Sequence, residues 1–328
     1  MQAYIIRRLL LVIPTVFVAS LIVFFLIRFI PGDIVTRMAA QHIGHWTEAD
    51  SDTVRRRLGL DVPSAVQYAR WIGVIRDHHG SFSGLLQGNL GLSLWGQEPV
   101  TAIILKRLPV TFELAFLAMT IAVLIALPIG TYSAIRQDTI CDYLARSFGI
   151  LALSIPGFWL GTMVVVFPSI WWGWSPPLEL IRFADDPLGN LAQYVVPALV
   201  LGMIMAGMIM RMTRTMVLEV VRQDYIRTAW SKGLKERLVI RRHALPNALI
   251  PVVTVVGFMI PWVIGGSVIT ETIFGLPGLG HLLLRVINDR DYTVVSGVSM
   301  FMAGVMVLAN LAIDLTYGFL DPRVRVDK

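Results

Sequence analysis

The sequence predicts an all-α integral membrane protein with six transmembrane helices, because its charges are absent from six long stretches and because each stretch matches a bilayer. Residues 9–27, 114–135, 147–178, 187–210, 244–270 and 292–313 contain no Asp, Glu, Lys, Arg or His. Their lengths are 19, 22, 32, 24, 27 and 22 residues. At about 1.5 Å of rise per residue, about 20 apolar residues cross a hydrocarbon core roughly 30 Å thick, so every stretch is long enough or nearly so. Buried helices of soluble proteins seldom keep more than about 14 apolar residues in a row. Composition agrees: 55% of the 328 residues are hydrophobic and 15% charged. A soluble domain has about 45–50% and about 25%, so an ordinary globular protein is excluded.

Taken in order, the first stretch follows Arg7 and Arg8 and leaves through Arg28-Phe-Ile-Pro-Gly-Asp33 with no small-x-small cleavage site. It is too long for a typical signal-peptide core and reads as an uncleaved anchor. Residues 1–30 thus form an amino terminus and first helix, and residues 31–107 an extended segment of mixed polarity in which 48–58 is helical. A five-helix core follows over residues 108–320, with a polar loop at 211–248, and residues 321–328 are a tail. Within the third stretch, Ser154-Ile-Pro156-Gly157 predicts a break or kink, since Pro156 removes a backbone donor and Gly157 adds freedom.

Orientation follows from Lys and Arg in the short loops. One side carries 11: Arg136 and Arg146 between helices two and three, and nine between helices four and five. The short loops opposite carry 3, Arg182, Arg285 and Arg290. Both termini are therefore expected in the cytoplasm, with Arg323, Arg325 and Lys328 agreeing, and 31–107 outside. The net charge of +6 is topological. Cations spread along loops that flank membrane spans do not make a nucleic-acid surface.

Several chemistries lack their residues. The single cysteine, Cys141, excludes an internal disulfide and any multi-cysteine metal site. The pair His78-His79 has no carboxylate or cysteine at ligand spacing and reads as a surface pair. There is no G-x-x-x-x-G-K-[ST], and none of the four lysines follows a glycine, so the chain has no P-loop for ATP. Neither H-E-x-x-H nor G-x-S-x-G occurs. No catalytic residue, metal ligand or cofactor site is expected in this chain.

The polar loop between helices four and five is the informative segment. From Asp224 to Asn247 it shows helical periodicity, with Tyr225, Ala229 and Trp230 on one face and Leu234, Leu238 and Ile240 or Arg241 following a glycine. Helix, Gly233 turn, helix is the reading. Such a segment lies on the bilayer surface or enters a groove on a partner protein.

Its residues also carry a resemblance. Arg227-Thr-Ala229, Gly233 and His243-Ala-Leu245-Pro246 resemble the EAA loop of membrane subunits of ATP-binding-cassette (ABC) importers. The match is closest to the dipeptide and oligopeptide (peptide/nickel) branch, whose form is R-T-A-x-x-K-G-L. Further matching pieces are I-I-R-R-L-L-L-V-I-P at the start, Pro31-Gly-Asp33, Ser154-Ile-Pro-Gly-Phe-Trp159, Arg211-Met-Thr-Arg214, Thr270-Glu-Thr-Ile-Phe-Gly-Leu-Pro-Gly-Leu-Gly280, Asp291-Tyr292 and Asp321-Pro-Arg323. They run through the whole chain in order. The departures are Arg227 and Thr228 in place of the general motif's glutamate and first alanine, as in the peptide branch, and His243 in place of isoleucine.

The resemblance implies a type I importer permease with the MetI-like fold. It implies as partners a second permease subunit of different sequence, two ATPase subunits that hold ATP and Mg, and a periplasmic or lipid-anchored substrate-binding protein, in a bacterial or archaeal inner membrane. In that family the loop docks on the ATPase. The expected docking helix runs from Asp224 to Lys232, with Tyr225 and Thr228 on it, Ala229 and Gly233 small for close approach, Arg227 and Lys232 offering ionic contacts, and Leu245-Pro246 closing the motif. The cargo implied is a di- or oligopeptide. Relatives carry nickel complexes, glutathione or oligosaccharides.

Four residues are candidates for the pathway: Glu113, Ser154, Pro156 and Asp314. Glu113 and Asp314 border apolar stretches, where an ionisable group faces a bundle interior, a watery cavity or the headgroup layer. A proton-coupled secondary transporter would use them as a relay, but such folds show internal repeats and none is found. An intramembrane enzyme would need a nucleophile or a metal ligand set, and neither appears. The run 275–280 is rich in glycine without a strand or a phosphate-loop lysine, and reads as a turn at an outer gate or a binding-protein contact.

Overall fold

Each apolar stretch becomes helix for the same reason: a backbone in hydrocarbon must satisfy its own hydrogen bonds. The computed structural model describes residues 2–29, 35, 39, 47–57, 59–76, 80–177 and 179–320. The motifs Pro31-Gly-Asp33, His78-His79 and Asp321-Pro-Arg323 lie outside the described residues. In chain order the helices are α1 (Gln2–Phe29), α2 (Glu48–Arg57), α3 (Ser64–Ile72), α4 (Val100–Ile135), α5 (Ile140–Ser154), α6 (Gly157–Trp172), α7 (Pro187–Val221), α8 (Asp224–Ser231), α9 (Glu236–Val239), α10 (Leu245–Ile273), α11 (Leu279–Asp289) and α12 (Tyr292–Leu320). Among the described residues there is no strand, only an antiparallel bridge between Leu92 and Pro99.

Five segments are long and apolar enough to cross a membrane: Ile5–Leu26, Val100–Ile135, Pro187–Val221, Glu236–Ile273 and Tyr292–Thr316. The sixth is a pair, α5 and α6, bent by 95°. The bend falls at Ile155-Pro156, where the break was expected, because Pro156 cannot donate and its ring disfavours helix at the preceding residue. Gly157 adds a packing reason: a Cβ there would lie 2.7 Å from Ile204 on α7.

By contacts the chain divides into two units. The larger comprises Met1–Val12, Arg107–His281 and Val305–Lys328. Its core is a stripe of small residues on α4, Ala118, Ala122 and Ala126, packed with Leu201, Met205 and Ile209 of α7 and Val252, Met259 and Val263 of α10. Helices associate in lipid through close packing, which small side chains permit. Gly202 illustrates the closeness, since a Cβ on it would lie 2.7 Å from the Ala118 carbonyl oxygen. Phe116, Leu124 and Ile150 point away from the core and are exposed, as lipid-facing side chains are.

The smaller unit comprises Ile13–Lys106 and Leu282–Gly304. Helix α2 matches the helix expected over 48–58, whereas α3 was not anticipated. It docks on α1 through rings: Phe24 lies 5.1 Å from Tyr68 and 5.7 Å from Trp71, while the Tyr68 hydroxyl meets Ser20 Oγ at 2.8 Å. Further along, Asp291 caps α12 by accepting from the Val294 amide. Its other oxygen accepts from Ser93 Oγ at 2.6 Å and the Leu94 amide at 3.0 Å. Gly297 lets α12 meet the 90–100 segment, for a Cβ there would be 2.6 Å from Val100.

Candidate functional site

The polar loop between α7 and α10 folds as a small unit of its own. Residues 211–221 continue α7, so the loop is shorter than 211–248. Gln223 starts α8, and α8 ends where the Gly233 amide bonds the Trp230 carbonyl at 2.9 Å. Gly233 has φ +77°, a left-handed conformation that glycine adopts without a Cβ penalty. Past the turn, α9 runs into a π-helical turn, Ile240–Ala244. Pro246, next to the start of α10, accounts for it: with no N–H and with its ring against the carbonyl four residues back, it widens the turn before it.

Ile226 and Ala229 of α8 are buried against Val239, Ile240 and Ala244, with Ile135, Val220, Val221, Leu234 and Leu245 around them. The inward face of α8 is therefore Ile226 and Ala229. Tyr225 and Trp230, placed by periodicity on one face with Ala229, are exposed. The small side chain of Ala229 serves approach between α8 and the second half of the loop. At Gly233 a Cβ would meet nothing within 4 Å, so its requirement is conformational. Asp224, Arg227, Thr228, Lys232 and Pro246 are exposed and Leu245 is half-buried. Asn247 Nδ2 donates to Tyr225 Oη at 3.1 Å, tying α8 to α10. The loop is thus packed on the ends of α4, α7 and α10 with a free polar face.

Two buried carboxylates, neither singled out by the sequence, hold the membrane core at its ends. Asp142 has a fully buried side chain. Arg214 of α7 grips it with Nε on Oδ1 and Nη2 on Oδ2, both at 2.9 Å. Ser133 Oγ of α4 donates to Oδ1, and the Asp138 amide to Oδ2 at 3.1 Å. The sequence signal was present as Thr139-x-x-Asp142, a capping pattern: Thr139 Oγ1 accepts from the Asp142 amide.

Glu271, near the end of α10, is likewise inaccessible. Oε1 accepts from Thr111 Oγ1 of α4 at 2.7 Å and from Ser267 Oγ at 3.0 Å, and Oε2 from the His281 amide at 2.9 Å. The Leu279 amide donates to Thr111 Oγ1 at 2.8 Å. The glycine-rich run folds over this carboxylate: a Cβ on Gly278 would lie 2.4 Å from it, and one on Gly280 2.5 Å from Val268 Cα. Arg107 secures the run by donating to the Pro277 carbonyl at 3.2 Å.

The pathway candidates are dispersed. Glu113 is half-buried beside Asn190 and Tyr194 of α7. Asp314 pairs with Arg8 at 2.8 Å, which fastens the start of α1 to α12. Ser154 is exposed and its hydroxyl bonds the Ile150 carbonyl in its own helix at 2.8 Å. Pro156 is exposed at the bend. With different partners for Glu113 and Asp314, the structure does not join them into a relay.

Residues 126–326 match the family described as binding-protein-dependent transport system inner membrane component, and residues 1–115 match its amino-terminal companion. The chain belongs to that family. This permease is 37% identical over 351 residues to the dipeptide transport system permease protein DppB of Escherichia coli K12, with all of both chains covered. It is 36% identical over 327 residues to the oligopeptide transport system permease protein AppB of Bacillus subtilis 168, with 99% of each covered. Among solved structures, the inward-facing MetNI methionine ABC transporter shares its fold at TM-score 0.54 and 20% identity, over 67% of this permease and 97% of that chain. An amino acid ABC transporter gives 0.53 and 16%, over 66% and 94%. The fold is thus the MetI-like ABC permease fold, and the permease is a multi-pass inner-membrane protein.

Proposed function

We propose that this permease forms the translocation pathway of an ABC importer for di- or oligopeptides. The observation that carries the reading is identity of more than a third along the whole chain to permeases named for dipeptide and oligopeptide transport. A sister permease of different sequence, two ATPase subunits and an external substrate-binding protein complete the importer. ATP and Mg belong to the ATPases, consistent with the missing P-loop. The α8 unit is the ATPase dock: Ile226 and Ala229 fasten it to α4, α7 and α10, so a push on the exposed face of Asp224, Arg227, Thr228 and Lys232 reaches three membrane helices together. Both termini are cytoplasmic and 31–107 is external.

Uptake tests the function. Vesicles containing this permease with its ATPases and binding protein should accumulate labelled dipeptide only when ATP is inside the ATPase compartment; accumulation driven by a proton gradient without ATP defeats the reading. A reporter after Asp52 should be external and one after Lys235 cytoplasmic, and the reverse pattern overturns the orientation. For the dock, Gly233→Ala adds only backbone strain, whereas Gly233→Asp also sets a charge on the surface that the proposed ATPase contact would cover. Ala should keep most ATPase co-purification and Asp should lose it, with normal membrane abundance in both. Full uptake by the Asp variant would mean that the ATPase docks elsewhere.

A further inference from the structure

A cavity of about 380 Å³ lies among α4, α5 and α7, beside the Asp142 pair. Its walls divide by chemistry. Arg146, Arg211 and Arg214 supply its cationic lining, and Gly149, Ile150 and Leu153 an apolar stretch that follows Arg146 along α5. That division falls where the hydrocarbon should end: Arg146 immediately precedes the apolar stretch 147–178, and Arg211 immediately follows 187–210. The cavity therefore straddles the boundary between headgroups and acyl chains.

Its charge is unbalanced. Asp142 and Asp138 are the acidic groups here; Arg214 takes both oxygens of Asp142 and also lies within the electrostatic reach of Asp138. Arg146 Nη1 stands 3.8 Å from the Asp142 carboxylate, with its side chain about half exposed. Among the described residues Arg211 forms no ion pair, and it is exposed. Three guanidinium groups against these two carboxylates leave an excess of one positive charge. Ile150 and Leu153 are exposed as well, so the site opens sideways, toward the bilayer.

We propose that this cavity binds an anionic phospholipid, its phosphate at Arg146 and Arg211 and the upper part of an acyl chain along Gly149, Ile150 and Leu153. Each half of such a ligand meets its complement. A soluble anion would leave the apolar wall wet, and a zwitterionic lipid would bring an ammonium into a cationic field. Guanidinium groups suit phosphate because their planar fork donates to two oxygens together. Arg214 stays with Asp142 and supplies charge from behind.

The exposed Cys141 is the chain's one cysteine, and it precedes Ala145, which lines the cavity, by one turn of α5. The full chain, labelled there with an environment-sensitive dye, is placed in nanodiscs of phosphatidylcholine containing spin-labelled phosphatidylglycerol or spin-labelled phosphatidylcholine as quencher. Phosphatidylglycerol should quench at lower mole fraction. Arg146→Gln and Arg211→Gln should each raise the fraction needed by about fivefold, and roughly 25-fold together. Arg237→Gln with Arg241→Gln, which removes equal charge outside the cavity, should leave it nearly unchanged. Arg214 is left intact in both, so the buried pair survives, and circular dichroism checks the fold. Equal quenching by both lipids overturns the proposal, as does an equal shift in the control variant, which would mean diffuse surface attraction. Reversal by millimolar inorganic phosphate identifies a soluble-anion site and overturns the lipid. Loss of the effect in the assembled importer means that a partner subunit fills the cavity, which overturns it too.

Discussion

Two carboxylates are buried in the membrane core, and they are stabilised in opposite ways. Asp142 is held by a cation, with a two-pronged grip from Arg214. Glu271 is held without one, by the hydroxyls of Thr111 and Ser267 and the amide of His281. Both are anchored to α4, by Ser133 and Thr111. These two positions are 22 residues apart, about 33 Å along the helix axis, so the two sites mark opposite ends of one membrane-spanning rod. A buried charge needs compensation, and it can come from an ion or from several dipoles. The ion pair ties helix to helix through one partner. The dipole set shares its load over a loop, so no single donor is indispensable.

That difference is open to test, and the largest effect belongs to the ion pair. Arg214→Met takes the two-pronged cation from Asp142, leaving Ser133 Oγ, the Asp138 amide and the more distant Arg146 beside it, and should cost about 3–5 kcal/mol, read as the denaturant midpoint of the purified permease in detergent. Adding Asp142→Leu to it should restore most of the loss, since an apolar pair of similar volume needs no compensation. A loss below 1 kcal/mol for Arg214→Met alone would erase the distinction between the two sites.

At the other end, Thr111→Val removes one donor to Glu271 and the acceptor of the Leu279 amide while Ser267 and His281 remain. About 1–3 kcal/mol is expected in the same assay. A loss as large as that of Arg214→Met would show that Glu271 depends on one partner after all. Ser133→Ala should do less, about 1 kcal/mol, because Arg214 still binds both oxygens of Asp142. Smallest, Gly233→Ala lies outside both sites and should cost about 1 kcal/mol or less through its positive φ alone. A larger loss would mean that the Gly233 turn is packed as tightly as the core.

How much of this was readable in advance depended on how local the cause was. The six apolar stretches, the break at Pro156 and the helix, turn, helix around Gly233 were all legible, because length, a missing donor and glycine's freedom act within a few residues. Helix α3 was not, since a nine-residue segment gains its stability from the rings of Phe24, Tyr68 and Trp71 and not from its own pattern. The face of α8 was misplaced for a related reason. Tyr225 and Trp230 are the bulky residues, but the space beneath α8 is shaped by Val239, Ile240 and Ala244, which admit Ile226 and Ala229.

By itself the sequence determined that this chain is a bundle of membrane helices with a basic, helical loop and without a P-loop motif. Those properties rest on transfer of residues into hydrocarbon and on residue types being present or absent, neither of which requires knowing neighbours. Only the tertiary structure decided which charges are neutralised and by what. Asp142 meets Arg214 across 72 positions and Glu271 meets Thr111 across 160, while Asp314, a candidate for the pathway, is held by Arg8. An ionic or hydrogen-bonding partner is chosen by proximity after helices pack, and packing depends on where Ala118, Gly202, Gly149 and Gly207 let backbones touch. That information is distributed over the whole chain, so no single stretch contains it.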